Sequence, residues 1–460
     1  MARHDKNRAT RERAYRQPGI FDWEAHAGRL RLDAPVTPMA TDAALDGLGA
    51  KMIRRLVLPL GVLTFVNAID RVNVSFAAHA MSAEIGLTPA SFGLGVSAFF
   101  VGYLLFQYPH AALLRRYGIR RWLLVTVTLW GIAGLLLARV QTVEEFIGAR
   151  FLLGTAEAGF APGVTWFINR WLPLRVRGKA MATVLAAVPL ALVVGGPLCG
   201  WMLGAGNPLD MSAWRWMFLL QALPNFVFAI VAYFYFRDDV AGSRWLTPAE
   251  RAALAPAATA PPRDPFRDVL GDPRVWRCAI TWFFVMTGSY GLIFWLPQLV
   301  RQMKLGGSEF QIGAISSLPQ AGLVLGMLAN GWHSDRSGER QWHVGIAAML
   351  GGIALLVGGL MTPGWLALLM LTVASTGIGA AQSVFWAVPA ALRIGGDRIS
   401  VAAIALISIF GTAGGIVGPT LIGWIKQSTG SFVPSLVVLS LLLVAGGLVI
   451  APRRRERISA

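Results

Sequence analysis

Twelve stretches of this 460-residue chain are apolar over roughly 20 residues each, the length an α-helix needs to cross the hydrocarbon core of a bilayer. They run near 56 to 80, 92 to 114, 121 to 138, 146 to 168, 179 to 203, 214 to 236, 275 to 300, 311 to 333, 343 to 361, 365 to 391, 400 to 425 and 432 to 450. In lipid, a spanning helix must satisfy its own backbone N–H and C=O groups, so a chain with this many stretches folds as a helix bundle. The expected fold class is an all-α membrane protein with twelve transmembrane helices. With 55% hydrophobic and only 14% charged residues, the composition is too apolar for a soluble protein of this length.

The charge that remains is strongly basic, 41 Lys and Arg against 24 acids. A nucleic-acid binder would gather it on one soluble face. Here it falls in short segments between apolar runs. Arg115, Arg116, Arg120 and Arg121, then Arg170, Arg175, Arg177 and Lys179, then Arg336 and Arg340, then Arg393 and Arg398 occupy loops on one face, and Arg453, Arg454, Arg455 and Arg457 add to it. The opposite face has Arg139, Arg215, Arg301, Lys304 and Lys426. The positive-inside rule makes the arginine-rich face cytoplasmic and puts both termini there. The expected organisation is a basic, disordered cytoplasmic tail (1–55), a six-helix bundle (56–236), a cytoplasmic linker (237–274), a second six-helix bundle (275–450) and a basic tail (451–460). The first 55 residues have no apolar stretch for a secretory signal, and Asp5, Glu12, Asp22 and Glu24 argue against a transit peptide. Such a tail touches anionic lipid. Cys199 and Cys278 lie near opposite faces and suggest neither a disulfide nor a metal site.

The two groups of six spans repeat one another. The loop after span 2 reads Arg115-Arg-Tyr-Gly118-Ile-Arg120 and the loop after span 8 reads Asp335-Arg-Ser-Gly338-Glu-Arg340, 220 residues on; Pro197 in span 5 and Pro419 in span 11 are 222 apart. Two parallel six-span halves with a site between them near the midplane are a transporter architecture, which works by rocking one half against the other. Gly195, Gly196, Gly414 and Gly415 are expected mainly to let helices pack closely.

The segment Gly331-Trp-His-Ser-Asp335-Arg336-Ser-Gly-Glu-Arg340 resembles the loop signature of the major facilitator superfamily (MFS). Asp70-Arg71-Val-Asn73, Phe99-Phe-Val-Gly-Tyr103, Arg150-Phe-Leu-Leu-Gly-Thr-Ala-Glu157, Phe294-Trp-Leu-Pro297, His333 to His343 and Phe385-Trp386 are similar to the anion:cation symporters within it, which carry tartrate, phthalate, galactonate and hexuronates. The resemblance runs from about Leu56 to Ile450. It implies the MFS fold, a monomer in the cell (inner) membrane, and a proton-coupled importer of a small organic anion working by alternating access. Ala68 and Ile69 stand where relatives often have an aromatic residue, Gln107 and His110 where many have Glu and Asn, and Ser408 where some have an asparagine.

Four ionisable residues lie deep in the apolar spans: Asp70, Arg71, Arg150 and Glu157. Charges at that depth are expensive unless paired or hydrated, so they mark a functional cavity; the plainer alternative is a set of structural ion pairs. Arg150 and Glu157, seven residues apart, sit about 10 Å apart along one helix face and can point into one cavity. Asp70 and Arg71 project about 100° apart and do not pair with each other. Arg71 is expected to hold the substrate carboxylate bidentately while Asp70 and Glu157 carry protons. The resemblance implies the same, with Arg150 fixing Glu157. Asn73, Tyr103, Tyr290, Gln382, Ser383 and Ser408 lie at cavity depth as candidate substrate contacts, with helix-to-helix hydrogen bonding the alternative. Trp386 can stack on a ring or sugar-acid face or sit in an interfacial belt. His110 is a candidate proton relay, and His79 lies at a membrane boundary. Asp335, Arg336 and Arg340 are the expected gating loop, while the first-half copy has Arg115 in place of the acid, so its latch is absent or built differently.

No phosphate-binding Gly-Lys-Ser/Thr loop and no histidine pair at ligand spacing occurs, which argues against an enzyme, a metal or any other cofactor. Anion exchange without protons and a non-transporting sensor on the same fold are the competing readings.

Overall fold

A computed structural model describes residues 42–206, 208–240, 242–243, 245–254, 266–392, 394 and 401–452. The expectations for most of the two basic tails, for the middle of the linker, and for Arg393 and Arg398 fall outside the described residues. The chain divides into two compact units, Met1–Gly47 and Leu48–Ala460. Of the first, only the start of helix Asp42–Met52 is described.

The second unit holds all the spans. A π-helical turn, Ile53–Val57, leads into span 1, made of Leu58–Val72 and Val74–Ile85 and closed by Gly86 in the left-handed conformation. Pro89–Arg139 then runs as one 51-residue helical element, far longer than a bilayer is thick. It is spans 2 and 3 together, turned at Gly118, whose φ of 76° and ψ of 172° are not helical. Span 4 is instead broken at Ala158 and Gly159 into Val143–Glu157 and Phe160–Trp171. Span 5 is Leu174–Leu185 with Ala187–Gly204, and span 6 is Ala213–Tyr235. Spans 7 to 12 are Pro273–Gln302, Glu309–Ser337, Gln341–Leu360, Trp365–Phe385, Val401–Thr429 and Val433–Ile450. Among the described residues, ten helices are by themselves long and apolar enough to cross a membrane; the difference from twelve comes from the joined spans 2 and 3 and the broken span 4.

Local chemistry sets these ends. Thr88 with Ser91, and Ser308 with Gln311, form reciprocal caps at the starts of spans 2 and 8, which satisfy N–H groups that the first helical turn leaves free. Gly338, at a φ of 71°, stops span 8, a conformation that glycine adopts without the Cβ clash of other residues. Arg277 is buried at the start of span 7 because its guanidinium donates to the carbonyls of Val449, Ile450 and Ala451, the open end of span 12.

The first six and last six spans meet mainly through spans 2 and 11, spans 5 and 8, and Val74–Ile85 of span 1 on span 7. All these contacts lie toward the arginine-poor face. A methyl group on Gly196 would collide with the Gly313 carbonyl oxygen, one on Gly93 with the Pro419 carbonyl oxygen, and one on Gly200 with the Glu309 carbonyl oxygen. Ser97 bonds the Ile416 carbonyl and Thr420, and the Ala90 amide donates to Gln427 at 3.0 Å. Toward the arginine-rich face, Leu58–Val72 of span 1 packs instead on span 5 of its own half. Of the four glycines singled out by sequence, Gly196 and Gly415 pack across the halves, Gly415 against the Phe100 ring, and Gly414 packs on the span 7 backbone.

Candidate functional site

Spans 2 and 4 touch closely enough for a Cβ on Gly154 to overlap the Phe99 carbonyl. That approach lays the Phe99 ring between two guanidinium groups: Arg71 Cζ lies 5.1 Å and Arg150 Cζ 5.0 Å from its centroid. Arg71 is also 5.1 Å from the Tyr103 centroid. Both distances fall in cation–π range. Arg71 Nη2 donates to Glu157 Oε2 at 3.1 Å and to Asn67 Oδ1 at 3.4 Å, and its Nε reaches the same Glu157 oxygen at 3.4 Å.

This corrects the expected pairing. Glu157 is held by Arg71, not by Arg150, whose Nη2 donates to the Arg71 carbonyl oxygen at 3.4 Å. Seven-residue spacing puts Arg150 and Glu157 on one face of span 4, but the side chain of Arg71 enters from span 1 and takes the carboxylate. Nor do both open into a cavity: Arg150 and Glu157 are fully buried, while the Arg71 side chain keeps 21% of its surface accessible. Arg150 Nε and Nη1 and Glu157 Oε1 have no partner among the described residues. The three side chains form one cluster in which a single carboxylate faces two cations.

Asp70 points the other way around span 1, as the helical geometry requires. Its Oδ2 accepts from Trp130 Nε1 at 2.6 Å and from Asn225 Nδ2 at 3.0 Å. A small void beside it is lined by Asn73, Trp130 and Gln221, among others. Asp70 is thus buried among neutral donors of spans 3 and 6 and is separate from the Arg71 cluster. Asn73, expected at the substrate, donates to Gln221 Oε1 at 2.6 Å and is buried inside the first six spans. Asn67, Trp130, Gln221 and Asn225 were not singled out by sequence. Gln221 and Asn225, four apart in an apolar span, were the available signal; Trp130 gave none.

The other candidates sort by exposure. Tyr290 is half-buried, with its ring 4.6 Å from that of Phe100, and it lies within electrostatic reach of Arg71. Gln382 donates to Ser289 Oγ at 2.9 Å. The Ser383 hydroxyl donates to the Ala380 carbonyl at 3.0 Å and that of Ser408 to the Ile404 carbonyl at 2.8 Å. Trp386 is 41% exposed and sits 5.3 Å edge-on to Trp282, which stacks at 4.3 Å on Phe385. His110 is buried against Trp122, with Nδ1 unpartnered among the described residues, and His79 is exposed.

In the loop after span 8, Arg340 Nη1 pairs with Asp335 Oδ1 at 2.7 Å and bonds Ser334 Oγ at 2.9 Å, and Arg336 lies over Trp332. The first-half copy is built differently. Asp238, beyond span 6, supplies the acid: it abuts Gly118 and accepts from the Arg120 amide at 3.1 Å, while Arg120 Nε donates to the Tyr233 carbonyl.

Residues 60–393 match the family model described as Major Facilitator Superfamily. The chain is 36% identical to a putative tartrate transporter of Agrobacterium vitis over 87% of its own length and 93% of the relative's. It is 34% identical to a quinolone resistance transporter of Acinetobacter baumannii (85% and 91%), and 31% identical to the inner membrane transport protein RhmT of Escherichia coli strain K12 (90% and 97%). Among solved structures, a bacterial homolog of the human lysosomal transporter Spinster superposes with a TM-score of 0.73 at 17% identity, covering 86% of this chain and 95% of the other. A D-xylose-proton symporter superposes with 0.66 at 16% identity, covering 86% and 97%. These low identities speak for the fold. The family match over most of the chain and the relatives above 30% identity decide the rest: the chain belongs to the Major Facilitator Superfamily of membrane transporters.

Proposed function

We propose that this protein imports a small organic anion together with protons by alternating access, as a monomer in the inner membrane with both termini cytoplasmic. The observation that carries the reading is the sharing of Arg71: it is a partly accessible cation deep in the spans, and its charge is paired with Glu157. A substrate carboxylate and Glu157 compete for that guanidinium, so a proton on Glu157 frees Arg71 for the anion. Asp70, next to Arg71 in span 1 but held by neutral donors of spans 3 and 6, is the second proton carrier. Arg150 keeps a positive charge beside Glu157 whichever partner Arg71 has. The names of two relatives of Agrobacterium vitis, both putative tartrate transporters, support an organic anion as cargo.

The contacts closing the arginine-poor face support a resting state open to the cytoplasm, since that face is the outer one under the positive-inside rule. Rocking of the halves would part spans 2 and 11 and spans 5 and 8. The Asp335–Arg340 pair then braces the inner loop of the second half, and Asp238 with Arg120 braces that of the first. A mono-anion entering with one proton is electroneutral, whereas two protons add about 2.3 kcal/mol of drive per 100 mV.

The test is uptake into vesicles under an imposed pH gradient. Asp70→Asn and Glu157→Gln should each abolish pH-driven accumulation while leaving exchange of bound anion measurable. Wild-type-like accumulation in either variant removes that residue as a proton carrier, and wild-type accumulation that ignores the pH gradient and requires anion preloaded inside favours an exchanger.

A further inference from the structure

We propose that His333 and His343 form a proton-operated latch between the ends of spans 8 and 9, a pH switch on the loop that follows span 8 and apart from the Arg71 cluster. It draws on residues that the organic-anion reading does not use and does not depend on it.

The latch is a chain of hydrogen bonds. Glu339 Oε2 lies 2.7 Å from His343 Nδ1 and accepts from the His343 amide at 3.1 Å, while Oε1 accepts from the Trp342 amide at 2.7 Å. On the far side of the same ring, His343 Nε2 lies 2.7 Å from His333 Nδ1. A carboxylate only accepts, so His343 Nδ1 carries a proton. Between His343 Nε2 and His333 Nδ1 there is then room for one proton, given by either ring and accepted by the bare nitrogen of the other. A second proton would set two N–H groups and two positive charges face to face, and the bond would be lost.

The surroundings do not offset that repulsion. Glu339 brings one negative charge to the pair. Asp335 is taken by Arg340 at 2.7 Å, and Arg336 lies over the Trp332 ring. Among the described residues, span 10 presents Val373, Thr376, Gly377 and Ala380 to the adjoining groove and no titratable group. That groove, about 440 Å³, gives the exposed His333 ring room to turn away. One helical turn before His333, Asn330 donates to the carbonyls of His343 and Ala380, which confines the opening to the end of span 8. The link to the expected gating loop is direct: Ser334 Oγ donates to the Glu339 carbonyl at 2.6 Å and accepts from Arg340 Nη1 at 2.9 Å. Histidine changes charge between about pH 5 and 8, so the latch is shut in alkali and released in acid.

The experiment uses the purified full-length chain in nanodiscs of phosphatidylethanolamine and phosphatidylglycerol, with no anion added. Spin labels at Trp332→Cys and Ile346→Cys, both exposed positions, report the separation of spans 8 and 9 by pulsed electron resonance, and both native cysteines are buried. One distance population is expected at about pH 8 and a second, longer one at about pH 5. His333→Gln keeps a hydrogen-bonding side chain but takes up no proton, so its alkaline population should persist in acid. Imidazole magnetic-resonance signals of the unlabelled wild type read the coupling separately: His333 and His343 should titrate in two linked steps, and His343 in a single step in His333→Gln. An unchanged distance between alkali and acid in the wild type, a pH-driven change that survives in His333→Gln, or independent single-step titrations in the wild type overturns the latch.

Discussion

Replacing Glu157 by glutamine removes the negative charge that is paired with Arg71. In the wild type, an incoming carboxylate must displace the Glu157 oxygen that accepts from Arg71 Nη2 at 3.1 Å and from Nε at 3.4 Å. One charge-assisted hydrogen bond of this kind is worth about 1.5–3 kcal/mol, so Glu157→Gln should bind the anion roughly 10- to 150-fold more tightly at alkaline pH. The difference should close as pH falls, because protonating Glu157 in the wild type has the same effect as the amide. Binding by isothermal titration calorimetry in detergent across a pH series measures both curves, with melting temperature as a check, since Arg71 and Arg150 then lack their shared counter-ion. Equal affinities with the same pH slope in the two proteins would refute the idea that substrate and Glu157 compete for Arg71.

Two further outcomes follow from contacts outside that cluster. Gly196→Leu places a side chain where the Gly313 carbonyl oxygen lies; overpacking of about 1–3 kcal/mol should shift the equilibrium away from the closed arginine-poor face roughly 5- to 150-fold, and uptake should fall while anion binding persists. Cysteine labelling of positions on that face reads the shift, and normal uptake with normal labelling would count against the gate. Glu250 accepts from Lys51 Nζ at 2.8 and 2.9 Å, which holds its carboxyl below the ordinary carboxylate range. A folded value depressed in this way stabilises above the unfolded value, and the benefit is lost as pH falls through the folded one, so Glu250→Gln should lower the melting temperature near neutrality and match the wild type in acid.

The spans and the charged cluster were legible in the sequence because both rest on the cost of placing polar groups in lipid: twelve apolar runs and four misplaced charges need no partner to be seen. Pairing was not legible. Helical spacing says that Arg150 and Glu157 share a face, but not how far span 1 is rotated, and that rotation gives Glu157 to Arg71 and turns Asp70 toward Trp130 and Asn225. Ser383 and Ser408 look like ligand contacts in sequence, yet each hydroxyl has a backbone carbonyl of its own helix within reach. Asn73 likewise finds Gln221 across the bundle. The missing acid of the first loop was out of sight for a different reason: Asp238 lies 118 residues from Arg120, so no local motif contains it.

Protons and an organic anion should cross together, with the protons carried by the first six spans. A pH-sensitive dye trapped inside reconstituted vesicles tests it most directly, with the anion added outside and no gradient imposed. Internal acidification should begin with anion entry, saturate with it, and be absent in Asp70→Asn and Glu157→Gln. Anion entry at an undiminished rate with no change in internal pH would contradict it.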